Sequence, residues 1–215
     1  MRVYYSSYHL WAAKHFTRLS STIEDQHTGR SVFDSAHRAY VTNAILSSVS
    51  FLEAAINELF QDAADEHYSY ISDLGKANMA LLAGLWQSRE GQSIPRWSTL
   101  DKYQLVLLLT GKPLFEKGAP PYQEATLLVR LRNALVHFRP ETLGLDSPHK
   151  LTSALCTKFP TNRLMKGSAN PYFPDHCLGT GCAGWAVGAA ENLADEFFSR
   201  LEIEPNYQRV DFGPP

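Results

Sequence analysis

The chain has 215 residues and a formal net charge of −2, with 44% hydrophobic and 20% charged side chains. These values are typical of a globular protein, which argues against disorder, and the length fits one domain with additions. No stretch approaches the roughly 20 apolar residues of a membrane span, and the first residues lack the apolar run of a signal peptide. We therefore expect a soluble, cytoplasmic protein.

Helical patterns fill the first half of the chain. Residues 4–23 predict an N-terminal helix, which a polar break at 25–29 ends. A longer helix is predicted over 31–66, where apolar residues recur three and four apart and no Pro or Gly intervenes. A further helix is predicted over 71–88, and the glycine and proline of 91–95 indicate a loop.

The next two helices have recognisable start signals. Ser98 or Thr99 is a candidate N-cap for a short helix through residue 109, with Asp101 in the first turn. Two prolines at 120–121 precede a helix that we expect to continue through residue 138, until Pro140 stops it.

The remaining chain is predicted as a short helix over 151–159, a Pro- and Gly-rich connection over 160–184, and a last helix over 184–201. Strand-like alternation of any length is missing from the sequence. The pattern therefore predicts an all-α protein, a helical bundle that forms a single domain over 1–215.

Charge is distributed unevenly along the chain. Residues 53–66 contain five acids and no Lys or Arg, whereas residues 128–166 contain two acids and seven bases, which are Arg130, Arg132, Arg139, Lys150, Lys158, Arg163 and Lys166. A basic segment on a near-neutral protein can hold a phosphate-bearing ligand. The alternative is that the two segments face each other or the solvent.

The helix predicted over 120–138 is strongly amphipathic. At about 100° per residue, one stripe is apolar and predicts the core-facing side; it consists of Leu127, Leu128, Leu131, Ala134, Leu135 and Phe138. The opposite side carries, in angular order, Arg132, Val136, Val129, Asn133 and His137. Arg132 and His137 thus flank two valines and are about 140° apart.

The two valines bear on what covers this second side. A side that faces solvent needs neither Val129 nor Val136, so we expect another part of the chain or a second copy of the protein to cover it. If a symmetric copy does so, two sets of Arg132 and His137 converge on one cleft. The alternative is a helix buried on two sides, with Arg132 paired to an acid and His137 hydrogen-bonded in the core.

The spacing of Arg132 and His137 resembles the Arg-x4–6-His motif of the HEPN superfamily, whose members are small helical bundles. Arg2 with His9 and Arg30 with His37 also fit this spacing. Only Arg132 is followed directly by a polar Asn133 on an amphipathic helix with a second, partly apolar face. Residues 51–60 look like the long early helix of several HEPN families. The resemblance covers roughly 31–200, and the helix over 4–23 would pack on that core.

Active HEPN proteins are metal-independent endoribonucleases that often work as dimers, so the resemblance implies a role for each motif residue. His137 would exchange a proton with the RNA, since the ordinary pKa of histidine is about 6.5. Arg132 would grip the scissile phosphate, and Asn133 would orient the phosphate or His137. Attack by the 2′-hydroxyl would leave a 2′,3′-cyclic phosphate without a metal or other cofactor.

Three further residues are supporting candidates. Arg130 and Arg139 flank the motif and would add attraction for phosphate, unless they are ordinary solvated charges. Glu53 lies on the long early helix, where a supporting acid could meet the motif; the alternative is a surface or salt-bridged glutamate.

The leading hypothesis is therefore a HEPN-type ribonuclease or RNA-binding protein of a bacterial toxin–antitoxin or antiphage system. Its expected partners are RNA or a nucleotide and a second copy of the chain, bound through the face of Val129, Val136 and the motif; a protein antitoxin is left open. A second hypothesis is a non-catalytic HEPN-like module that binds a nucleotide or a protein. A third is a plain helical scaffold in which the motif is coincidental.

The three cysteines give no disulfide framework. Cys177 and Cys182 are five residues apart beside His176, but this spacing matches no common zinc pattern, which favours small buried thiols over a metal site. His149 and His176 lie in loop-like segments, and the sequence assigns them no role.

Overall fold

A computed structural model describes residues 2–27, 29–87, 94, 96–140, 149–209, 213 and 215. The fold is all-α, as predicted, with 68% of the chain in helix and no strand among the residues that are described. The α-helices are α1 (Ser6–Gln26), α2 (Ser35–Ala64), α3 (Lys76–Gln87), α4 (Thr99–Leu109), α5 (Tyr122–Val136), α6 (Thr152–Leu155) and α7 (Thr180–Leu201). Short helical turns lie at Ser72–Leu74, Arg163–Met165, Tyr172–His176 and Asn206–Gln208.

The predicted start of α4 is confirmed in atomic detail. Ser98 is the N-cap, and its side-chain oxygen accepts a hydrogen bond from the backbone N–H of Asp101 at 3.2 Å. A cap of this kind satisfies one of the N–H groups that the first turn of a helix leaves without a partner. Gly111 follows the helix with a φ of +67°, a left-handed conformation that glycine adopts without strain.

The structure corrects three predicted helix ends, one of which is the end of α6 at Leu155, where the sequence predicts residue 159. Helix α5 ends at Val136, and Phe138 is 56% exposed, so its predicted place in the core stripe is wrong. The physical reason is Pro140, which disfavours helical backbone just before it, so the helical projection no longer applies to residue 138. Helix α7 begins at Thr180, before the predicted residue 184, so the glycines at 181 and 184 lie inside the helix.

The chain divides into two compact units, and helices α1, α2, α5 and α7 contribute residues to both. The first unit comprises Met1–His9, Ser50–Thr126 and Ala190–Gly213. Its core contains the fully buried Tyr103, whose hydroxyl donates a hydrogen bond to the backbone oxygen of Leu52 at 2.9 Å. The ring of Tyr103 also meets Phe197 edge-on, with ring centres 4.6 Å apart.

The second unit comprises Leu10–Val49, Leu127–Ala189 and Pro214–Pro215. Leu128 and Leu131 of α5 are completely buried there, as the amphipathic pattern predicts. Full burial of a leucine side chain is worth about 2 kcal/mol, so these residues fix the face that α5 turns to the core. The remaining face of α5 is left to carry the polar motif.

The connection before α7 lies directly on the start of that helix. Asn162 is buried, and its side-chain amide donates hydrogen bonds to the backbone oxygens of Asp175 and Leu178 at 3.1 and 3.0 Å. A Cβ atom at Gly179 would lie 2.5 Å from Cα of Asn162, and one at Gly181 would lie 2.6 Å from the backbone oxygen of Pro160. These glycines are therefore required by close packing, although their density in the sequence indicates a loop.

A buried hydrogen-bonded pair, Glu24 and His37, also holds the start of α7. Glu24 accepts a hydrogen bond from Nε2 of His37 at 2.9 Å and one from the backbone N–H of Thr180 at 2.7 Å. Burial alone raises the pKa of Glu24, but the hydrogen bonds from His37 and Thr180 outweigh it and hold the pKa below its ordinary value. Glu24 is therefore ionised where its carboxylate caps α7.

Helix α2 is the one described helix that is long and apolar enough, by length and composition, to cross a membrane. Its most apolar stretch has a mean hydropathy of 1.3, and half of that stretch is buried inside the protein. Core helices of soluble proteins share this property, so the property does not by itself indicate a membrane span.

Candidate functional site

The carboxyl end of α5 places the polar motif at the surface of the second unit. The backbone N–H of His137 donates to the backbone oxygen of Asn133 at 2.9 Å, which extends the helical hydrogen bonding by one residue. Residues 137–140 are exposed and leave the helix. Asn133 and His137 lie one turn apart and therefore share a face.

This end of α5 forms one side of an open pocket with a volume of about 500 Å³. The other side comes from the start of the segment that precedes α6. The described residues that line the pocket are Arg130, Asn133, Ala134, His137, Phe138, Arg139, His149, Lys150 and Leu151.

The pocket is cationic. Arg130, Arg139 and Lys150 carry full positive charges, and no acidic side chain is among its described lining residues. None of these three cations forms an ion pair with a residue that the structure describes. Because the charges are not neutralised by that part of the chain, they are available to an anion.

The motif residues differ in their surroundings. Asn133 and His137 are exposed, line the pocket and form no side-chain hydrogen bond with a described residue. Arg132 is half-buried, also pairs with no described acid, and is not among the described lining residues. The described part of the chain thus contains neither the ion pair of Arg132 nor the core hydrogen bond of His137 that the alternative interpretation requires.

The supporting candidates belong to different units. Arg130 and Arg139 line the pocket with His137. Glu53 lies on the part of α2 that belongs to the first unit, where its charge raises the pKa of the buried Lys102; burial, the larger effect, lowers that pKa. Glu53 therefore has a local electrostatic partner, and its role as a supporting acid stays a prediction.

The two valines on the second face of α5 are not equally covered. Val129 is half-buried, whereas Val136 is 52% exposed. The described helices of this chain therefore leave Val136 uncovered, and coverage by a second copy stays a prediction.

Sequence reasoning missed His149. It is 8% exposed, it stacks on Phe173 with ring centres 4.1 Å apart, and it lines the pocket together with His137. Twelve residues separate the two histidines, so no helical or strand period connects them. The one signal in the sequence was the neighbouring Lys150, inside the basic segment.

The cysteine cluster is a packed, buried group. Cys177 and Cys182 are buried, and burial together with Cys177 raises the pKa of the Cys182 thiol well above its ordinary value. Nε2 of His176 lies 3.1 Å from the hydroxyl oxygen of Ser168. Over the described part of the chain, no three His, Cys, Asp or Glu side chains meet in a group that could hold a metal ion.

Comparisons with known proteins give no further guide, since no protein-family model, curated protein or solved structure matches this chain.

Proposed function

We propose that this chain is a metal-independent endoribonuclease of the HEPN type. The observation that supports the proposal best is the pocket at the end of α5, where His137 is exposed among Arg130, Arg139 and Lys150. Three cations suit a substrate with a phosphodiester backbone, and a histidine suits proton exchange near neutral pH. The biological setting that fits such an activity is a toxin–antitoxin or antiphage system.

The reaction is transesterification within the RNA. The 2′-oxygen attacks the adjacent phosphorus, the bond from phosphorus to the 5′-oxygen breaks, and a 2′,3′-cyclic phosphate and a 5′-hydroxyl are formed. The proton lost by the 2′-hydroxyl passes to a base, and the leaving 5′-oxygen receives a proton from an acid. His137 takes part in this exchange, and the cations stabilise the charge that gathers on the phosphate.

Arg132 enters this scheme through a second copy of the chain. It lies about 140° around α5 from His137, on the side of Val136, so one chain does not direct both side chains into one pocket. A homodimer formed through the face of Val129 and Val136 brings Arg132 of one copy towards His137 of the other. This dimer also covers Val136, which the described helices of one chain leave exposed.

RNA cleavage in the presence of a chelator tests the activity. We expect the wild type to cleave and His137→Ala and Arg132→Ala to lose at least a hundredfold in rate. His27→Ala is the matched control, because His27 lies outside the pocket and its side chain forms no hydrogen bond with a described residue. Equal cleavage by the wild type, His137→Ala and Arg132→Ala contradicts the proposal.

Mixing the two inactive variants tests the composite site. A heterodimer of Arg132→Ala and His137→Ala contains one site with both native residues, so random exchange restores about a quarter of the wild-type sites. A site built from one chain is not restored, since neither variant carries both residues. The solution mass of the wild type and of Val136→Asp shows whether the dimer exists and whether this face forms it.

A second candidate is a non-catalytic HEPN-like module that binds a nucleotide or the phosphate of a partner. Arg132 lies outside the described lining of the pocket, and this observation favours binding without catalysis. The same cleavage experiment separates the two functions. A module of this kind binds RNA in a manner that depends on Lys150 but leaves the RNA intact.

A further inference from the structure

The imidazole ring of His149 is held by two contacts inside the second unit. The backbone N–H of Leu151 donates a hydrogen bond to Nδ1 at 3.2 Å. The ring also stacks on the buried Phe173, with ring centres 4.1 Å apart and planes 22° from parallel. His149 therefore borders the pocket with a fixed ring orientation, whereas His137, which also lines the pocket, is exposed.

The contact with Leu151 determines where the ring proton lies. A ring nitrogen that accepts a hydrogen bond carries no proton, so the neutral ring carries its proton on Nε2. Nε2 forms no hydrogen bond with a described residue. The ring thus supplies one unused N–H donor at the wall of a pocket that also contains Arg130 and Lys150.

We infer that His149 is a phosphate-binding residue, which donates a hydrogen bond from Nε2 to a nonbridging oxygen of the phosphodiester. This role deepens the proposed ribonuclease function and relies on it for the identity of the substrate. His149 positions the phosphate, and the exposed His137 exchanges protons. Such a division needs one fixed and one accessible imidazole, and the pocket provides both.

A fixed donor is well suited to this task. Its position is set before the ligand arrives, so little side-chain freedom is lost on binding. The interaction is also strong because its acceptor is charged: a hydrogen bond to an anion is about twice as strong as one between neutral groups. Loss of the donor should therefore weaken phosphate binding about tenfold.

The test uses two substitutions with opposite structural effects. His149→Gln retains an amide N–H near the position of Nε2 but removes the aromatic stack with Phe173. His149→Phe retains an aromatic ring against Phe173 but removes the donor. Both variants lose the Nδ1 acceptor for the backbone N–H of Leu151. A purely structural role therefore predicts that His149→Phe behaves more like the wild type, because it retains the aromatic contact with Phe173.

Binding is measured with two probes that cannot be cleaved, inorganic phosphate and a single-stranded RNA with 2′-O-methyl groups. We expect His149→Gln to bind both within about threefold of the wild type and His149→Phe to bind both about tenfold more weakly. In the wild type, the ¹⁵N signal of Nε2 of His149 should shift when phosphate is added. Lys166→Ala is the control for loss of a surface charge outside the pocket.

The outcomes separate this inference from the proposed activity. Equal binding by the wild type and both variants, weaker binding by His149→Gln than by His149→Phe, or an unshifted Nε2 signal overturns the role of His149, whatever the result with cleavable RNA. Binding that depends on His149 while cleavable RNA stays intact supports this inference and overturns the ribonuclease. A protein that binds neither probe overturns the role of His149.

Discussion

His37 and His137 belong to the same unit, and each follows an arginine at a spacing that fits one short motif. His37 is 1% exposed and bonds Glu24, which also caps α7. His137 is exposed, bonds no described side chain and lines a cationic pocket. The spacing alone therefore does not distinguish a histidine that stabilises the fold from one that is available to a ligand.

The largest difference between the two histidines is expected in the rate of RNA cleavage after each one is replaced. We expect His137→Asn to lower the rate of RNA cleavage by about 10² to 10⁴, since it removes a proton-exchanging group. Its free energy of unfolding should stay within about 0.5 kcal/mol of the wild type, because an exposed side chain is lost. Rates from single-turnover cleavage and unfolding in urea check both parts; a stability loss above that range would assign His137 a structural role.

His37 should show the reverse profile. We expect His37→Ala to lower the free energy of unfolding by about 3 kcal/mol, because the buried carboxylate of Glu24 loses its hydrogen bond from His37. The folded fraction should cleave RNA at nearly the wild-type rate, since His37 lies outside the described lining of the pocket. Unfolding in urea and cleavage at a temperature where both proteins are folded measure the two quantities, with His27→Ala as control.

The buried pair also predicts how stability depends on pH. The folded-state pKa of Glu24 lies below its ordinary value of 4.5, so its stabilisation is present above about pH 4.5 and is lost as pH falls through the folded value. We expect Glu24→Gln to cost about 2 kcal/mol at pH 7 and progressively less towards pH 3. Thermal unfolding across this range measures the difference; a constant difference would contradict an ionised Glu24.

The smallest effect concerns the arginines around the motif. We expect Arg139→Ala to weaken RNA binding about threefold to tenfold at moderate salt, and to lower the slope of log affinity against log salt by about one. Lys166→Ala should leave both quantities near the wild-type values, because Lys166 is exposed outside the pocket. Binding of 2′-O-methyl RNA at several salt concentrations provides the measurement.

The sequence predicts the helices well because their signals are local. The Ser98 cap, the long pattern of α2 and the core face of α5 depend on neighbours within a few residues. The projection failed at Phe138, where the chain leaves the helix before Pro140. The predicted start of α7 was also wrong. Its first glycines permit close contact with the segment of Pro160 and Asn162 and do not break the helix.

The pocket could be predicted only in part. Arg130 and Asn133 lie on α5, and His137 follows its last residue with one more helical hydrogen bond to Asn133, so their proximity follows from the helical period. Their meeting with Lys150 and His149 depends on how the chain returns after α5, for which the sequence contains no periodic signal. Arg132 and His137 present the opposite difficulty. They are close in sequence, but their side chains lie about 140° apart around the helix axis.

The glycines at the start of α7 have a consequence for the evolution of this protein. Any side chain at Gly179 or Gly181 collides with the segment of Asn162 and Pro160, so few mutations at these sites are tolerated. Selection for folding should therefore retain the Gly-Thr-Gly sequence, with Glu24 and His37, independently of the function that we propose. Under the function that we propose, homologues without the activity would lose the exposed His137, whereas the residues at the start of α7 would remain.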